Sequence, residues 1–253
     1  MRIIIVRHAD PDYSIDSLTE TGWKEARACA KRIQEIDRDC GGIRSIYVSS
    51  YGRAQDTARC SLDLIGREDA ITCEWLREFW PSIHRPDVME GRAIAWDWLP
   101  QDWTCEPRYY DPKAWKETEV MREGHVGEEY DLVCRNLDQI IREHGYDRCD
   151  EEEGIFYHVR EANNDTIVIF CHFGMECVLV SHLVHCSPML LWHNFCALPS
   201  SLTTLVTEER REGIASFRVT EFGDTSHLYR EGMKPSFSAR FCECYQNEDE
   251  RHD

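Results

Sequence analysis

The chain has 253 residues, with 29 Lys+Arg against 47 Asp+Glu for a formal charge of −18, and it is 42% hydrophobic and 30% charged. That balance is that of a folded globular protein; it excludes a disordered chain, and no apolar run approaches the roughly 20 residues that carry a helix across a bilayer. The acid surplus argues against nucleic acid as a partner, because phosphate polymers are bound by a surplus of Lys and Arg. A small phosphorylated substrate is still allowed, since screening over about 8 Å makes distant surface acids weak opponents of a local basic pocket.

The first apolar run, Ile3 to Val6, is β-branched and lacks polar alternation, so it reads as a strand buried on both faces. It is too short for a signal peptide, and a reducing cytoplasm is the expected location. Ala9 to Ser17 is a turn region, after which Trp23, Ala26, Ala30, Ile33 and Ile36 recur at helical spacing. Thr19 or Thr21 is the expected N-cap, and Gly41-Gly42 the stop. Ile43 to Val48 reads as a second strand, Ala54 to Ile65 as a second helix, and Ala70 to Trp75 as a third, short strand. This alternation predicts an α/β fold, a three-layer sandwich with a mainly parallel central sheet flanked by helices, in a single domain over 1–253.

From about 79 to 128 the rhythm breaks. Trp80, Trp96, Trp98, Trp103 and Trp115 fall here with Tyr109 and Tyr110, and no period is sustained. The stretch reads either as an insertion capping the main domain, its aromatic walls favouring a flat or apolar leaving group, or as a satellite core under long loops. Tyr130, Val133, Leu137, Ile140 and Ile141 then mark a helix stopped by Gly145, and the acidic run Asp150 to Glu153 reads as a solvated loop. Thr166 to Cys171 is another buried strand, Met175 to Cys186 a largely apolar helix, and Leu202 to Thr207 with Ala215 to Thr220 a closing hairpin. The last residues, about 245–253, form an acidic tail expected to be flexible.

Thirteen cysteines in a reducing compartment read as small apolar residues. The sequence has no C-x-x-C pair; Cys242 with Cys244, and His182 with Cys186, do not make a metal box, so neither metal nor cofactor is expected.

Two histidines stand at equivalent places: His8 follows the first strand and His172 follows Thr166–Cys171. In open α/β sheets ligands bind beyond the carboxyl ends of the strands. Arg7 precedes the first histidine, Arg53 opens the helix after the second strand, and Glu78 follows the third. That set suits phosphoryl transfer. A neutral imidazole attacks phosphorus, guanidinium forks match phosphate oxygens, and a carboxyl group protonates the leaving oxygen and then accepts a proton from water. Each residue also has a bland reading: a hydrogen-bonded surface histidine, a solvated arginine at a helix start, a Glu78 paired with neighbouring Arg77.

Arg7-His8-Ala9-Asp10 resembles the R-H-G/A signature of the histidine phosphatase superfamily, the phosphoglycerate mutase-like proteins. Further blocks resemble the family's in the same order: Leu18-Thr19-Glu20-Thr21-Gly22, Ser49 to Ala58, Leu76-Arg77-Glu78-Phe79, Gly127 to Tyr130, Val168 to Gly174, and Thr225 to Leu228. The resemblance implies His8 as phosphate-accepting nucleophile, Arg7, Arg53 and His172 as phosphate pocket, and Glu78 as proton donor. Phe173 stands where the family usually has Gly, with its backbone N–H still available to phosphate, and Ser14 falls near where many members place an Asn against the phosphate. The tryptophan-rich stretch matches no mutase block. The expected activity is therefore metal-independent phosphomonoester hydrolysis on a small phosphorylated metabolite, with a pH optimum on the acidic side of neutral. A phosphoglycerate mutase-type transferase and a non-catalytic phospho-ligand binder are the alternatives, and the sequence leaves a homo-oligomer open.

Overall fold

The computed structural model describes residues 1–85, 92–96, 98–151, 154–237, 244 and 246. Cys242 and, apart from residue 246, the expected tail over 245–253 lie outside them.

Among the described residues, eight strands form the main sheet: β1 (Arg2–Arg7), β2 (Ser45–Ser49), β3 (Ile71–Cys73), β4 (Tyr146–Glu151), β5 (Gly154–Val159), β6 (Thr166–Cys171), β7 (Leu202–Arg211) and β8 (Ile214–Asp224). Their order across the sheet is β3-β2-β6-β1-β7-β8-β5-β4. The expected α/β sandwich is present. Parallel pairing runs through β3, β2, β6 and β1, and every pairing from β1 to β4 on the other side is antiparallel.

Side chains alternate across a strand, so β1 feeds both faces. Ile4 and Val6 join Val48, Val168 and Phe170 beneath α1 (Glu20–Asp39) and α2 (Gly52–Ile65), with Cys29, Ile33 and Ala58 as the helix contribution. Ile3 and Ile5 join Ile167 and Ile169 on the other face. There α3 (Val126–Glu143) contributes Val133 and Leu137, and α4 (Phe173–Val184) contributes Val178. α5 (Pro188–Asn194) packs against α4 on that face. Thr19 is the N-cap of α1, its side chain accepting the Gly22 N–H at 3.0 Å. No helix among the described residues is long and apolar enough to cross a membrane.

Two expectations need correction. The third strand is shorter than Ala70–Trp75, because Glu74–Leu76 turns into a 3₁₀ helix. Asp150 and Glu151 are not loop: they end β4, which pairs antiparallel with β5 through Asp150↔Ile155 and Glu151↔Gly154. This hairpin closes the edge of the sheet, and the sequence of β4 carries just two apolar residues, Tyr146 and Cys149, so its apolar signal is thin.

The insertion sorts into two parts. A small hairpin, Ser82–His84 with Arg92–Ile94, is followed by short helical turns at Pro100–Trp103, Pro107–Tyr110, Ala114–Glu117 and Glu119–Glu123. Trp103 and Trp115 are buried in the main core, Trp115 lying edge-on to Tyr130 at 5.1 Å and to Trp192 at 5.7 Å. Arg85 is buried, its guanidinium 4.1 Å from the Trp98 ring and 3.1 Å from Asp102. Trp96 packs against the margin of the same core and meets Phe173, two residues beyond the end of β6, with Trp80 6.2 Å away on its outer side.

Candidate active site

Register brings His8, His172 and Ser49 together. Arg7 pairs with Cys171 and Val48 with Phe170, so the next residues along three adjacent strands are His8, His172 and Ser49. The imidazoles of His8 and His172 lie 5.1 Å apart, tilted by 58°.

His8 is buried, and its Nδ1 faces the Ala9 carbonyl oxygen at 2.8 Å. A carbonyl only accepts, so Nδ1 carries the proton and Nε2 keeps its lone pair. Burial, reinforced by Arg7 and Arg53, holds the His8 pKa well below the usual value, so the ring is neutral. His172 is also held well down, first by burial and then by His8, Arg53 and Arg7. Its Nε2 is 2.8 Å from the Ser49 hydroxyl, while its Nδ1 has no hydrogen-bond partner.

Arg7 is buried, donates from Nη1 to the Ala197 carbonyl, and has an unpartnered Nε. Its guanidinium sits 5.6 Å from the Phe173 ring. Arg53, at the start of α2, is buried with an unpartnered Nε and donates from Nη1 to Asp16 at 2.6 Å. Its guanidinium lies 4.7 Å from the ring of Tyr51 and 5.3 Å from that of Tyr13. Asp16 also accepts the Gly52 N–H at 2.7 Å, which ties the Ala9–Ser17 turn to the helix start. A Cβ on Gly52 would sit 2.0 Å from the Asp16 carbonyl oxygen, so that contact requires glycine.

Glu78 is buried against the N-terminus of α4. Its Oε1 accepts the N–H groups of Phe79 at 2.8 Å and Met175 at 3.0 Å. Burial raises its pKa, and the two backbone donors with Arg7 and Arg53 oppose that without cancelling it.

The structure therefore joins Arg7, His8, Arg53, Glu78 and His172 into one cluster, with Phe173 at its wall. Ser14 is different: it is exposed and its hydroxyl donates to Asp12, so the loop residues that reach Arg53 are Tyr13 and Asp16. His182, weighed as half of a metal pair, has its Nε2 2.8 Å from Asp138.

The sequence reading missed Asp16, Tyr13 and Tyr51 around Arg53, and it missed Glu176. That carboxyl is completely buried on α4, one turn beyond His172, whose carbonyl accepts the Glu176 N–H at 2.8 Å. Neither carboxyl oxygen has a well-formed hydrogen bond. Burial pushes its pKa up to about 7, against the pull of the Thr203 hydroxyl and Arg7, with Glu78 adding to the rise. A signal existed, since Glu176 is the single acid in an otherwise apolar helix behind a strand-end histidine.

The family model for the histidine phosphatase superfamily (branch 1) matches residues 3–220. Comparison with curated protein sequences returns no match. Among solved structures, the chain is similar to phosphoserine phosphatase from Entamoeba histolytica in complex with 3-phosphoglyceric acid, with a TM-score of 0.53 and 19% identity over 90% of this chain and 98% of that one. It is also similar to a mycobacterial glucosyl-3-phosphoglycerate phosphatase complexed with VO3, with a TM-score of 0.52 and 18% identity over 88% and 99% of the two chains. A third is YhfR of Bacillus stearothermophilus, with a TM-score of 0.53 and 21% identity over 89% and 98%. At these identities the likeness is one of fold.

Proposed function

The chain belongs to the histidine phosphatase superfamily, branch 1, and on that premise we propose that it is a phosphomonoesterase acting through a phosphohistidine on His8. The observation that carries this is the His8 ring: Nδ1 is committed to the Ala9 carbonyl, and Nε2 is left with its lone pair beside Arg7, Arg53 and His172.

The substrate's phosphate docks on the unpartnered Nε–H groups of Arg7 and Arg53 and on His172, where the Ser49 hydroxyl donates to Nε2 and leaves Nδ1–H to donate to phosphate. The two guanidinium groups supply positive charge, and His172 a hydrogen-bond donor, to the negative charge that spreads over the equatorial oxygens in the transition state, so the reaction needs no metal. His8 Nε2 forms a bond to phosphorus as the bond to the ester oxygen breaks, and Glu78 gives its proton to that oxygen. Water then attacks phosphorus. Glu78 takes the water's proton, the N–P bond breaks, and inorganic phosphate leaves with His8 and Glu78 restored.

The pKa directions set the working range. His8 must be unprotonated, and its depressed pKa keeps it so well into acid. Glu78 must hold a proton, and its raised pKa extends that form upward from the ordinary carboxylate range. Activity is a bell lying below neutrality. The similar solved phosphatases, in complex with 3-phosphoglyceric acid and with VO3, support a small phosphorylated ligand here. Rapid mixing with p-nitrophenyl phosphate tests the reading: an initial burst of product and an acid-labile phosphoenzyme are expected, both absent in His8→Ala. Sustained turnover by His8→Ala overturns it.

A further inference from the structure

One side of the Arg7–Glu78 cluster is lined by aromatic rings. Gly174, the second residue of α4, locates that side: a Cβ there would lie 2.8 Å from Glu78 Oε1 and 2.6 Å from Trp96 Nε1. The Trp96 indole and the Glu78 carboxyl are thus neighbours across one glycine. The indole is held in place by its Nε1–H, which donates to the Phe79 carbonyl at 2.7 Å. Its ring meets Phe173 edge-to-face at 6.0 Å, and the Phe173 ring faces the Arg7 guanidinium. On the outer side Trp80 lies 6.2 Å from Trp96 and is 48% exposed. Phe173, Trp96 and Trp80 therefore form a continuous strip from the phosphate-binding arginine to solvent, passing the carboxyl that protonates the departing oxygen.

The exposed face of Trp80 is open to a further ring, and rings favour other rings in offset or edge-to-face contact. We propose that Phe173, Trp96 and Trp80 form the leaving-group subsite, and that the substrates are phosphomonoesters whose leaving group carries a flat aromatic ring. This rests on the reading of Glu78 as the acid for the leaving oxygen, which fixes where that oxygen and its substituent emerge. The other three tryptophans of the insertion have no such role: Trp103 and Trp115 are core, and Trp98 packs against it beneath the Arg85 guanidinium.

The test compares benzyl, cyclohexylmethyl and ethyl phosphate, whose leaving alkoxides are similar in basicity, so differences in kcat/KM report contacts with the substituent. The wild-type protein is expected to prefer benzyl over ethyl phosphate by about tenfold and over cyclohexylmethyl phosphate by about threefold, the scale of aromatic pair contacts. Trp80→Ala should lower the benzyl-to-ethyl ratio by about threefold or more, and Trp80→Phe should retain most of it; Trp80 is half in solvent, so both variants are expected to fold, and a thermal melt checks that. Equal kcat/KM for all three esters, or a benzyl-to-ethyl ratio unmoved by Trp80→Ala, overturns the subsite. Equal rates for benzyl and cyclohexylmethyl phosphate overturn the demand for a flat ring. Acid-labile phosphoenzyme from ethyl phosphate is followed in the same samples. Its presence with flat selectivity refutes only the subsite, whereas its absence with every ester refutes the phosphohistidine reading beneath it.

Discussion

The two halves of the sheet solve opposite problems. In the parallel half, β1, β2 and β6 are buried on both faces, and their carboxyl ends carry Arg7, His8, Ser49 and His172 into an interior where the Nε atoms of both site arginines and His172 Nδ1 go unpartnered. In the antiparallel half, β7 and β8 turn polar side chains outward, and Glu208 is held by Arg210 and Arg218 at the surface. Buried polar groups without partners cost stability, typically about 1–3 kcal/mol each. Under the proposed function a bound phosphate completes the two guanidinium groups and His172, whereas the surface ion pairs of the antiparallel half need no ligand.

If so, substitutions should separate the two. Glu78→Gln removes the transferable proton while keeping the shape, and should lower kcat by about 10²- to 10⁴-fold with the melting temperature at or above wild type. A loss of both activity and stability would make Glu78 a structural residue. Trp115→Ala, which removes the ring the insertion buries in the main core, should do the reverse: a stability loss of about 3–5 kcal/mol in urea unfolding, with the benzyl-to-ethyl preference kept in the folded fraction. A changed preference would join the inner tryptophans to the site.

Glu176 gives a pH test of the same contrast. Its pKa rises from 4.5 in the unfolded chain to about 7 in the fold, so between those values the folded protein holds a proton that the unfolded chain has lost. Stability contributed by this group is therefore greatest below about pH 4.5 and falls by about 3 kcal/mol as pH rises through 7. Buried histidines, His8 and His172 among them, are held down and slope the other way below about 6.5, so the informative quantity is the difference from a variant. Glu176→Gln should lose less stability than wild type between about pH 5 and pH 8 in thermal melts. Parallel curves would show that Glu176 is ionised throughout. The smallest effect belongs to the outer half: Arg218→Ala, at an exposed ion pair, should leave both melting temperature and kcat/KM unchanged within error. A drop in activity there would break the division between the halves.

The sequence made the parallel half readable because its strands are unbroken apolar runs and its chemistry follows each run directly: Ile3–Val6 then Arg7 and His8, Thr166–Cys171 then His172. It hid β4, where Tyr146 and Cys149 are too few apolar residues to set a period and the acidic run over 150–153 looks like loop. Asp16 was hidden for a different reason, since its partner Arg53 lies on the far side of α1 in sequence and only the fold of the Ala9–Ser17 turn joins them. Composition also could not sort the tryptophans. Trp115 and Trp80 come from the same aperiodic stretch, and only packing separates a core ring from one half in solvent.

The central claim is that Nε2 of His8 attacks phosphorus while Nδ1 stays bonded to the Ala9 carbonyl. Trapping the phosphoenzyme with benzyl phosphate, quenching in alkali and reading the linkage by phosphorus NMR tests that directly. The account predicts a single phosphohistidine, on His8, joined through Nε2. A phosphate on Nδ1, or on His172, would contradict it.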